Sequence, residues 1–518
     1  MSRTRNTFRN IIWGSIGKLV TIVLPFVTRT IMIYTMGMQY VGLGSLFTSL
    51  LQVLNLAELG IGSALVFSMY RPIAENDNEK ICSLLNFYRK SYHIIGTIIL
   101  CCGFFVLPFL NFLVADDIPQ GISLHILFII YLFNNVLGYF LFAYYNSLFV
   151  AHQRTDITSK ISMGLNCLSS ILQIIILICF GNYYVYVLVI PMITCLNNLC
   201  IVKLAKKYFP QYVCRGNIDK NEKRELTFKV GGMLFQKLGN VILTSVDSIV
   251  ISAFLGLKIL GIYNGYYYII TSLMGFLGIV QAALIPAVGN AIVTQDKEKN
   301  YVNFRKFHMM YCWIVIWWSS CLLSLYQPFI RLWQGEENML TNVSVMLFVV
   351  YFFLYKVGDI CWVFREAVGL WWQGKFVPLI SSVVNLILNI YLVQKIGLPG
   401  IIISTIVSIF FVNMPFGGWV LFKHYFCSKK KYVHYLLTQY TYMGMMFVTA
   451  GLTWWICNFV QGVGIGALLI KMIICIIFPN LFLLAFNFRN PNFKLALQFI
   501  LQSSPERLKS YIFKRKKK

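Results

Sequence analysis

Eight ionisable side chains interrupt stretches of this sequence that are otherwise apolar. A charge near the middle of a membrane costs roughly 2.5–3.5 kcal/mol on insertion scales, so such groups usually face a cavity, a substrate or an opposite charge. Basic groups in such places can bind an anion such as phosphate, and carboxylates can take up and release a proton. The eight are Lys18, Arg29, Glu58, Lys237, Asp247, Lys356, Asp359 and Lys471.

The elements that carry these charges occur twice. When the sequence is aligned with itself, without a gap, so that Lys18 falls on Lys237, Asp247 falls one position before the match of Arg29. Repeated transmembrane halves usually form their working site where the repeats meet. This repeat alignment also matches Gly37 with Gly256, Gly42 with Gly261, Asp77 with Asp296, Glu79 with Glu298 and Lys80 with Lys299.

Composition predicts an all-α polytopic membrane protein. Of its 518 residues 58% are hydrophobic and only 12% are charged, with a mean hydropathy of +0.70, which excludes a soluble globular protein. Apolar runs of about 20 residues, the length of a membrane-spanning helix, recur about fourteen times. They are 11–36, 42–70, 92–114, 122–150, 158–181, 184–203, 229–255, 261–293, 306–331, 339–364, 376–396, 400–423, 436–460 and 464–487.

The basic residues predict the orientation. The net charge is +26, but about 36 of the Lys and Arg residues lie in the termini and every second loop, the pattern that marks the cytoplasmic side. We therefore predict cytoplasmic N- and C-termini, and the charge indicates no nucleic-acid partner. The repeat crosses an even number of spans, so its halves should be related by an axis along the membrane normal.

The longest cytoplasmic loop divides the predicted domains. Two six-helix lobes flank it, followed by two extra spans and a basic tail that suits a lipid surface. The predicted parts are 1–203, 204–228, 229–423, 424–487 and 488–518.

Cysteine and histidine give no sign of metal or catalytic chemistry. Most of the fourteen cysteines lie inside apolar spans, where free cysteine behaves as a small hydrophobe. The six histidines are scattered, and the predicted outer loops are too short to build a catalytic centre. We expect no cofactor, no metal and no enzyme activity, while H⁺ and Na⁺ both remain open as coupling ions.

The charges on spans 1 and 7 have two interpretations. Lys18 and Arg29 are eleven residues apart, about three full helical turns, so they share one face. Together with Lys237 they could line a cleft for a phosphate-bearing anion. Alternatively, Arg29 pairs with Asp247 and ties the two halves together, while Lys18 extends its ammonium to the interface.

The other charges differ in their expected roles. Glu58, alone in the middle of its span, is the best candidate for a titrating, ion-coupled carboxylate, and a hydrogen-bonded structural role is the alternative. Lys356 and Asp359 are three residues apart, which favours a local pair on one helix face over a role in the cleft. Lys471 lies near a span end, where its ammonium can reach the interface.

Two stretches resemble a known family. Arg29, a glycine-bounded turn and the ELGIGSA segment from Glu58 to Ala64 resemble the bacterial polysaccharide flippases of the Wzx type, within the superfamily of MATE exporters and lipid II flippases. The second half, from Asp247 onward, resembles the start of that family's second lobe. The residues that carry the likeness are Arg29, Gly37, Tyr40, Gly42 and Leu43, then Asp247, Gly256, Gly261 and Tyr263.

The resemblance implies a V-shaped, two-lobed transporter of the bacterial cytoplasmic membrane. Members move undecaprenyl-diphosphate-linked oligosaccharide, a repeat unit of O-antigen, capsule or exopolysaccharide, to the outer leaflet by alternating access. The expected partners are this lipid-linked glycan, membrane lipids, and the polymerase and assembly proteins of polysaccharide synthesis. The alternative is a MATE-like, cation-coupled exporter of small molecules, which would favour carboxylates in its cleft.

Overall fold

The computed structural model describes residues 3–58, 61–115 and 118–503, with the side chains of 3–16, Lys18, Ala57, Ser63, Glu222, 225–237 and 500–503 excepted. This part of the chain is helical and contains no β-strand. The first eight helices are α1 (Arg3–Thr35), α2 (Met38–Leu54), α3 (Ile61–Glu75), α4 (Asn78–Val106), α5 (Leu124–Phe140), α6 (Asn146–Ala151), α7 (Thr155–Cys179) and α8 (Tyr183–Tyr208).

The second half follows the same pattern. Its helices are α9 (Lys220–Thr294), α10 (Lys297–Gln334), α11 (Asn342–Val357), α12 (Asp359–Val368), α13 (Phe376–Ile396), α14 (Leu398–Ser408), α15 (Met414–His424), α16 (Lys429–Asn458), α17 (Ile465–Asn487) and α18 (Pro491–Ser503). A short 3₁₀ turn, Asn55–Glu58, ends α2, and a π turn, Ile409–Asn413, joins α14 to α15.

Every predicted span falls on one helix or on consecutive helices. Among the described residues, nine helices are long and apolar enough to cross a membrane, and the bent pair Leu124–Phe140 with Ala143–Ala151 makes ten. One of the nine, Leu238–Thr294, contains most of predicted span 229–255 and all of span 261–293, and the backbone breaks between them at Gly256. The predicted all-α membrane fold is confirmed.

The loop predicted to join the halves is shorter than expected. Helix α8 continues to Tyr208 and α9 already begins at Lys220. The segment between them is held against α4, where the Asn86 amide donates to the carbonyl of Gly216 at 2.7 Å and the backbone N–H of Val213 approaches the Cys82 sulphur at 3.3 Å. The prediction counted the basic ends of both helices as loop.

The repeat is visible in the backbone of two turns. Gly37, between α1 and α2, has φ 100° and ψ 172°, and Gly256, inside α9, has φ 87° and ψ 174°. Both angles lie where a side chain would strain the backbone, so glycine suits both positions. The matching geometry supports the repeat deduced from the sequence.

The next pair of glycines in the repeat is Gly42 and Gly261, and each packs against the turn of the other half. A Cβ on Gly42 would lie 2.0 Å from the carbonyl oxygen of Leu257, and a Cβ on Gly261 would lie 2.3 Å from that of Met38. The repeat alignment matches Gly42 with Gly261 and Met38 with Leu257. Such reciprocal contact is what a two-fold axis produces, so the two turns meet about a local pseudo-two-fold axis.

The helix starts that follow each pair of spans are also equivalent. The Asp77 carboxylate accepts from the backbone N–H of Lys80 at 2.9 Å at the start of α4. The Asp296 carboxylate accepts from that of Lys299 at 2.7 Å at the start of α10. Each aspartate satisfies one of the unpaired N–H groups of its helix.

Contacts divide the described chain into two compact units. The first comprises Met1–Gly265 with Pro378–Ile401, and the second Tyr266–Val377 with Ile402–Lys518. Helix α1, the first part of α9 and α13 thus share one unit, so the charged residues of predicted spans 1 and 7 belong to a single body. The predicted lobes 1–203 and 229–423 stay a prediction.

Helix α10 is the centre of the second unit. It packs against α11, α16, α17 and α18, so the two extra C-terminal spans lie on it. Its cytoplasmic-side half, in the predicted orientation, contributes to an aromatic core in which Phe304 contacts the rings of Phe364, Phe422 and Tyr435. Burial of such large rings stabilises the packing of α10 with its neighbours.

Candidate functional site

Arg29 lies on α1, half-buried, and reaches the start of the second repeat. Its Nη1 donates to the backbone carbonyl of Asn264 at 2.9 Å, three residues after Gly261. This contact links α1 to the helix that follows the second turn of the repeat. The predicted binding of an anion by Arg29 stays a prediction.

The two lysines predicted to accompany Arg29 have side chains outside the described residues. The backbones of Lys18 and Lys237 lie in α1 and α9. Their role in binding substrate therefore stays a prediction, as does the face that Lys18 shares with Arg29.

Asp247 is buried within the first unit, at 6% exposure. Its Oδ1 accepts from the Asn389 amide at 2.6 Å, and the same amide approaches Oδ1 of Asn385 at 3.2 Å. Both asparagines, one turn apart on α13, are completely buried. Carboxylate and amide oxygens together suit a proton or a hard cation. The predicted pairing of Asp247 with Arg29 stays a prediction.

Glu58 ends the 3₁₀ turn after α2 and accepts two phenolic hydroxyl groups. Tyr92 of α4 donates to Oε1 and Tyr139 of α5 donates to Oε2, each at 2.6 Å. Tyr88 donates in turn to the Tyr92 oxygen at 2.9 Å. Within the described residues no lysine or arginine forms an ion pair with Glu58. The carboxylate is therefore held by neutral donors.

The Glu58 cluster continues through amide groups. Asn135 donates to Oδ1 of Asn55 at 2.9 Å, and the Tyr139 hydroxyl lies 3.2 Å from the same oxygen. The polar groups of α2, α4 and α5 thus form one connected network around Glu58. We call Asn55, Glu58, Tyr88, Tyr92, Asn135 and Tyr139 the Glu58 cluster.

Asp359 forms a second cluster in the other unit. Lys356 lies 3.0 Å from its Oδ2, and the two side chains are only 8% and 14% exposed, so the local pair expected from their spacing is present. The same oxygen accepts from the Tyr311 hydroxyl at 2.6 Å and from the Gln281 amide. In this cluster a lysine neutralises the carboxylate directly.

The two clusters occupy equivalent places in the repeat. The repeat alignment matches Tyr92 with Tyr311, and each tyrosine donates to the carboxylate of its own half. The acid is supplied by different elements, since Glu58 follows α2 whereas Asp359 begins α12. Each half therefore holds an acid–phenol contact, but among the described residues only the second contains a cation.

Sequence analysis identified three acids in the predicted spans, Glu58, Asp247 and Asp359, but it did not identify most of the side chains that contact them. Tyr92 and Tyr311 could have been found, because they match under the repeat and follow its aspartate caps at a fixed distance. Tyr139 and Asn389 gave no such signal. They lie 81 and 142 residues from the acids that they contact.

Lys471 belongs to none of these clusters. It lies on α17, partly buried, and lines a cavity of the second unit. Of the eight charges predicted in the membrane, Lys471 is the one that lies in the extra C-terminal spans, 436–460 and 464–487.

Solved structures with the same fold are transporters. "Lipid II flippase MurJ, inward closed conformation" has a TM-score of 0.66 at 14% identity and covers 92% of this chain and 99% of its own. A variant of the Vibrio cholerae MATE transporter VcmN has a TM-score of 0.57 at 13% identity and covers 83% of this chain and 97% of its own. An inward-facing multidrug resistance MATE family transporter of the MOP superfamily has a TM-score of 0.58 at 17% identity, with coverages of 79% and 97%.

The predicted MATE-like fold is confirmed by these similarities. Among curated protein sequences, none matches the chain significantly.

A family model described as "Polysaccharide biosynthesis protein" matches residues 7–291. The match covers more than half of the 518 residues and includes both turns of the repeat as well as Arg29, Glu58 and Asp247. The chain belongs to the polysaccharide biosynthesis protein family.

Proposed function

We propose that this protein moves a lipid-linked oligosaccharide across the cytoplasmic membrane by alternating access. The cargo is a saccharide joined through a diphosphate to a polyprenyl lipid, a repeat unit of O-antigen, capsule or exopolysaccharide. The observation that carries the proposal is the family match, which covers the Arg29 region, on a chain with the fold of a lipid II flippase.

The chemistry of the charged spans agrees with an anionic cargo. Five of the eight ionisable groups in the predicted spans are basic. Arg29 offers a planar, permanently charged group that can contact two phosphate oxygens at once. A carrier of cationic drugs would instead need uncompensated acids around its cargo.

Complementation tests this function. Expression in a bacterium that lacks its own flippase should restore surface polysaccharide and remove lipid-linked oligosaccharide that accumulates on the cytoplasmic face. Export of a cationic dye, with no complementation in any of several flippase-deficient strains, would favour the MATE-like exporter instead. The same strain without this protein serves as the inactive control.

We further propose that Glu58 couples transport to protons. The phenols of Tyr92 and Tyr139 donate to an ionised Glu58, and the same oxygens can accept a proton from its neutral form. No neighbouring lysine or arginine within the described residues fixes it as an anion. Protonation would therefore change the hydrogen bonds that join α2 to α4 and α5, which is a direct way to couple a proton to helix movement.

The Glu58→Gln variant separates this role from a structural one. Glutamine keeps the size and hydrogen-bonding capacity of Glu58 but cannot ionise, so transport in proteoliposomes should lose its response to a pH gradient. The double variant Lys356→Met with Asp359→Asn is the matched control, because it removes the acid of a similar tyrosine contact together with its cation. If Glu58→Gln still responds to the gradient, Glu58 is structural.

Asp247 is the second proposed coupling group. It is buried beside Asn385 and Asn389, and the Asn389 amide nitrogen donates to Oδ1 of Asp247 and to Oδ1 of Asn385. These two acceptor oxygens are of the kind that also suits Na⁺. A Na⁺ gradient that drives transport in the wild type and in Glu58→Gln, but not in Asp247→Asn, would assign the coupling to Asp247 and exclude Glu58.

A further inference from the structure

A cavity of about 760 Å³ lies in the second unit, between α10 and α11 on one side and α16 and α17 on the other. It is located where α10 and α16 end and where α11 and α17 begin. Most of its walls are apolar, including Leu323, Val349, Met446, Trp454 and Leu468. The predicted orientation places this end at the outer surface of the membrane.

The depth of the cavity corresponds to one leaflet. Its lining on α16 extends from Met446 to Asn458, and twelve residues of helix span about 18 Å. The hydrocarbon core of a bilayer is about 30 Å thick, so each leaflet contributes about 15 Å. A lipid chain that enters from the outer surface would therefore reach the floor of the cavity.

Two cations lie on its walls, and one of them is already paired. Arg331 Nε lies 2.9 Å from Oε1 of Glu336, although the contact lacks hydrogen-bond geometry and is held by charge alone. The Lys471 ammonium has no acidic partner among the described residues. Arg331, Lys471 and Glu336 together leave the site with one net positive charge.

We propose that this cavity holds one anionic phospholipid of the outer leaflet, with its phosphodiester at Lys471 and an acyl chain along the apolar walls. A phosphodiester carries a single negative charge, which matches the net charge of the site. A polyprenyl diphosphate carries more than one and would leave charge uncompensated. Trp454, 45% exposed, suits the headgroup level, where tryptophan is enriched.

The bound phospholipid would hold the two extra spans against α10. Helices α16 and α17 both pack against α10, and the cavity lies along this packing surface. A resident lipid fills space that would otherwise leave the facing side chains without contacts. This role is independent of the cargo that the protein transports.

Native mass spectrometry and thermal unfolding of the full chain test the proposal. The purified protein should retain one phosphatidylglycerol per chain, and phosphatidylglycerol should raise the melting temperature more than zwitterionic phosphatidylcholine does. Lys471→Ala should retain roughly fivefold less phosphatidylglycerol, as expected for one basic group near a lipid phosphate. Lys395→Ala is the matched control, since Lys395 is an exposed lysine near the end of another helix.

A cavity-filling variant supplies a second, independent test. Gly451 lines the cavity, and a Cβ there meets nothing within 4 Å, so Gly451→Leu should occupy the space and abolish retention while the protein remains folded. Equal retention in Lys471→Ala and Lys395→Ala would overturn the proposal. So would equal stabilisation by the two phospholipids, or a polyprenyl diphosphate that displaces phosphatidylglycerol from the wild type.

Discussion

Replacement of Gly42 by alanine tests the reciprocal contact between the repeated turns. The added Cβ would lie 2.0 Å from the carbonyl oxygen of Leu257. The atom that it meets belongs to the backbone and cannot rotate away. The Gly261→Ala variant creates the equivalent clash at 2.3 Å with the carbonyl oxygen of Met38.

The size of the clash sets the expected cost. Ordinary van der Waals contacts of a Cβ begin near 3.4 Å, so the two turns must separate by about 1.4 Å in Gly42→Ala and by about 1.1 Å in Gly261→Ala. Overpacking of a well-packed site typically costs about 1–3 kcal/mol. We expect Gly42→Ala to lie in the upper half of this range and Gly261→Ala below it.

Thermal unfolding in detergent, compared with a matched glycine, provides the measurement. Gly164 lies inside α7, and a Cβ there meets nothing within 4 Å. Because alanine favours helix over glycine by up to about 1 kcal/mol, Gly164→Ala should raise the melting temperature or leave it unchanged. The two classes of variant should therefore shift the melting temperature in opposite directions.

The double variant tests whether the two contacts are energetically coupled. Once the turns have separated to admit the first methyl group, the second needs little further movement, so Gly42→Ala with Gly261→Ala should cost less than the sum of the single variants. Additive costs would show that the turns respond independently. A Gly42→Ala protein as stable as Gly164→Ala would refute the close approach itself.

Two further predictions concern the charged residues. Lys356→Met should lower the free energy of unfolding by about 3–5 kcal/mol, because it leaves Asp359 buried without its cation, and Asp359→Asn in the same chain should recover most of the loss in a melting experiment. Arg29→Ala should abolish transport in the complementation assay without loss of inserted protein, and Arg29→Lys should recover little, since a point charge cannot reproduce a two-oxygen contact. Rescue by the exchange Arg29→Asp with Asp247→Arg would instead make Arg29 a structural tie.

The turns of the repeat could be predicted because their determinants are local. A glycine at a positive φ affects only the backbone next to it, and an aspartate at a helix start acts within three residues. Such local determinants appear in the sequence as a fixed spacing. The two halves share this spacing through Gly37 and Asp77 in the first and Gly256 and Asp296 in the second. The fold class followed from the apolar spans for the same reason. The break at Gly256 separates two predicted spans that would otherwise form one continuous helix.

The partners of the buried acids could not be predicted in the same way. Glu58 meets Tyr92 and Tyr139, which are 34 and 81 residues away, and helix periodicity does not report which faces of distant helices meet. The spacing of Lys356 and Asp359 was informative only because both residues lie within one turn. Contacts across helices depend on packing, which composition and periodicity leave undetermined.

The acid–phenol contacts of the two halves differ around an equivalent tyrosine. In the first half, the Tyr88 hydroxyl donates to Tyr92 at 2.9 Å and occupies the space beside Gly62, where a Cβ would lie 2.7 Å from it. The repeat alignment matches Tyr88 with Phe307, which has no hydroxyl, and Gly62 with Gln281.

Gln281 replaces the missing donor in the second half. Its amide donates to the Tyr311 oxygen at 2.8 Å, as Tyr88 does to Tyr92. Each phenol thus keeps both a donor to its oxygen and a carboxylate acceptor, although the donor and the acid come from different positions in the two halves. A structural role alone would explain why each half has a hydrogen-bonded phenol. Among the described residues, however, a basic side chain pairs with the carboxylate only in the second half, where Lys356 contacts Asp359. This difference is the physical reason why we propose Glu58, and not Asp359, as the acid that couples transport to protons.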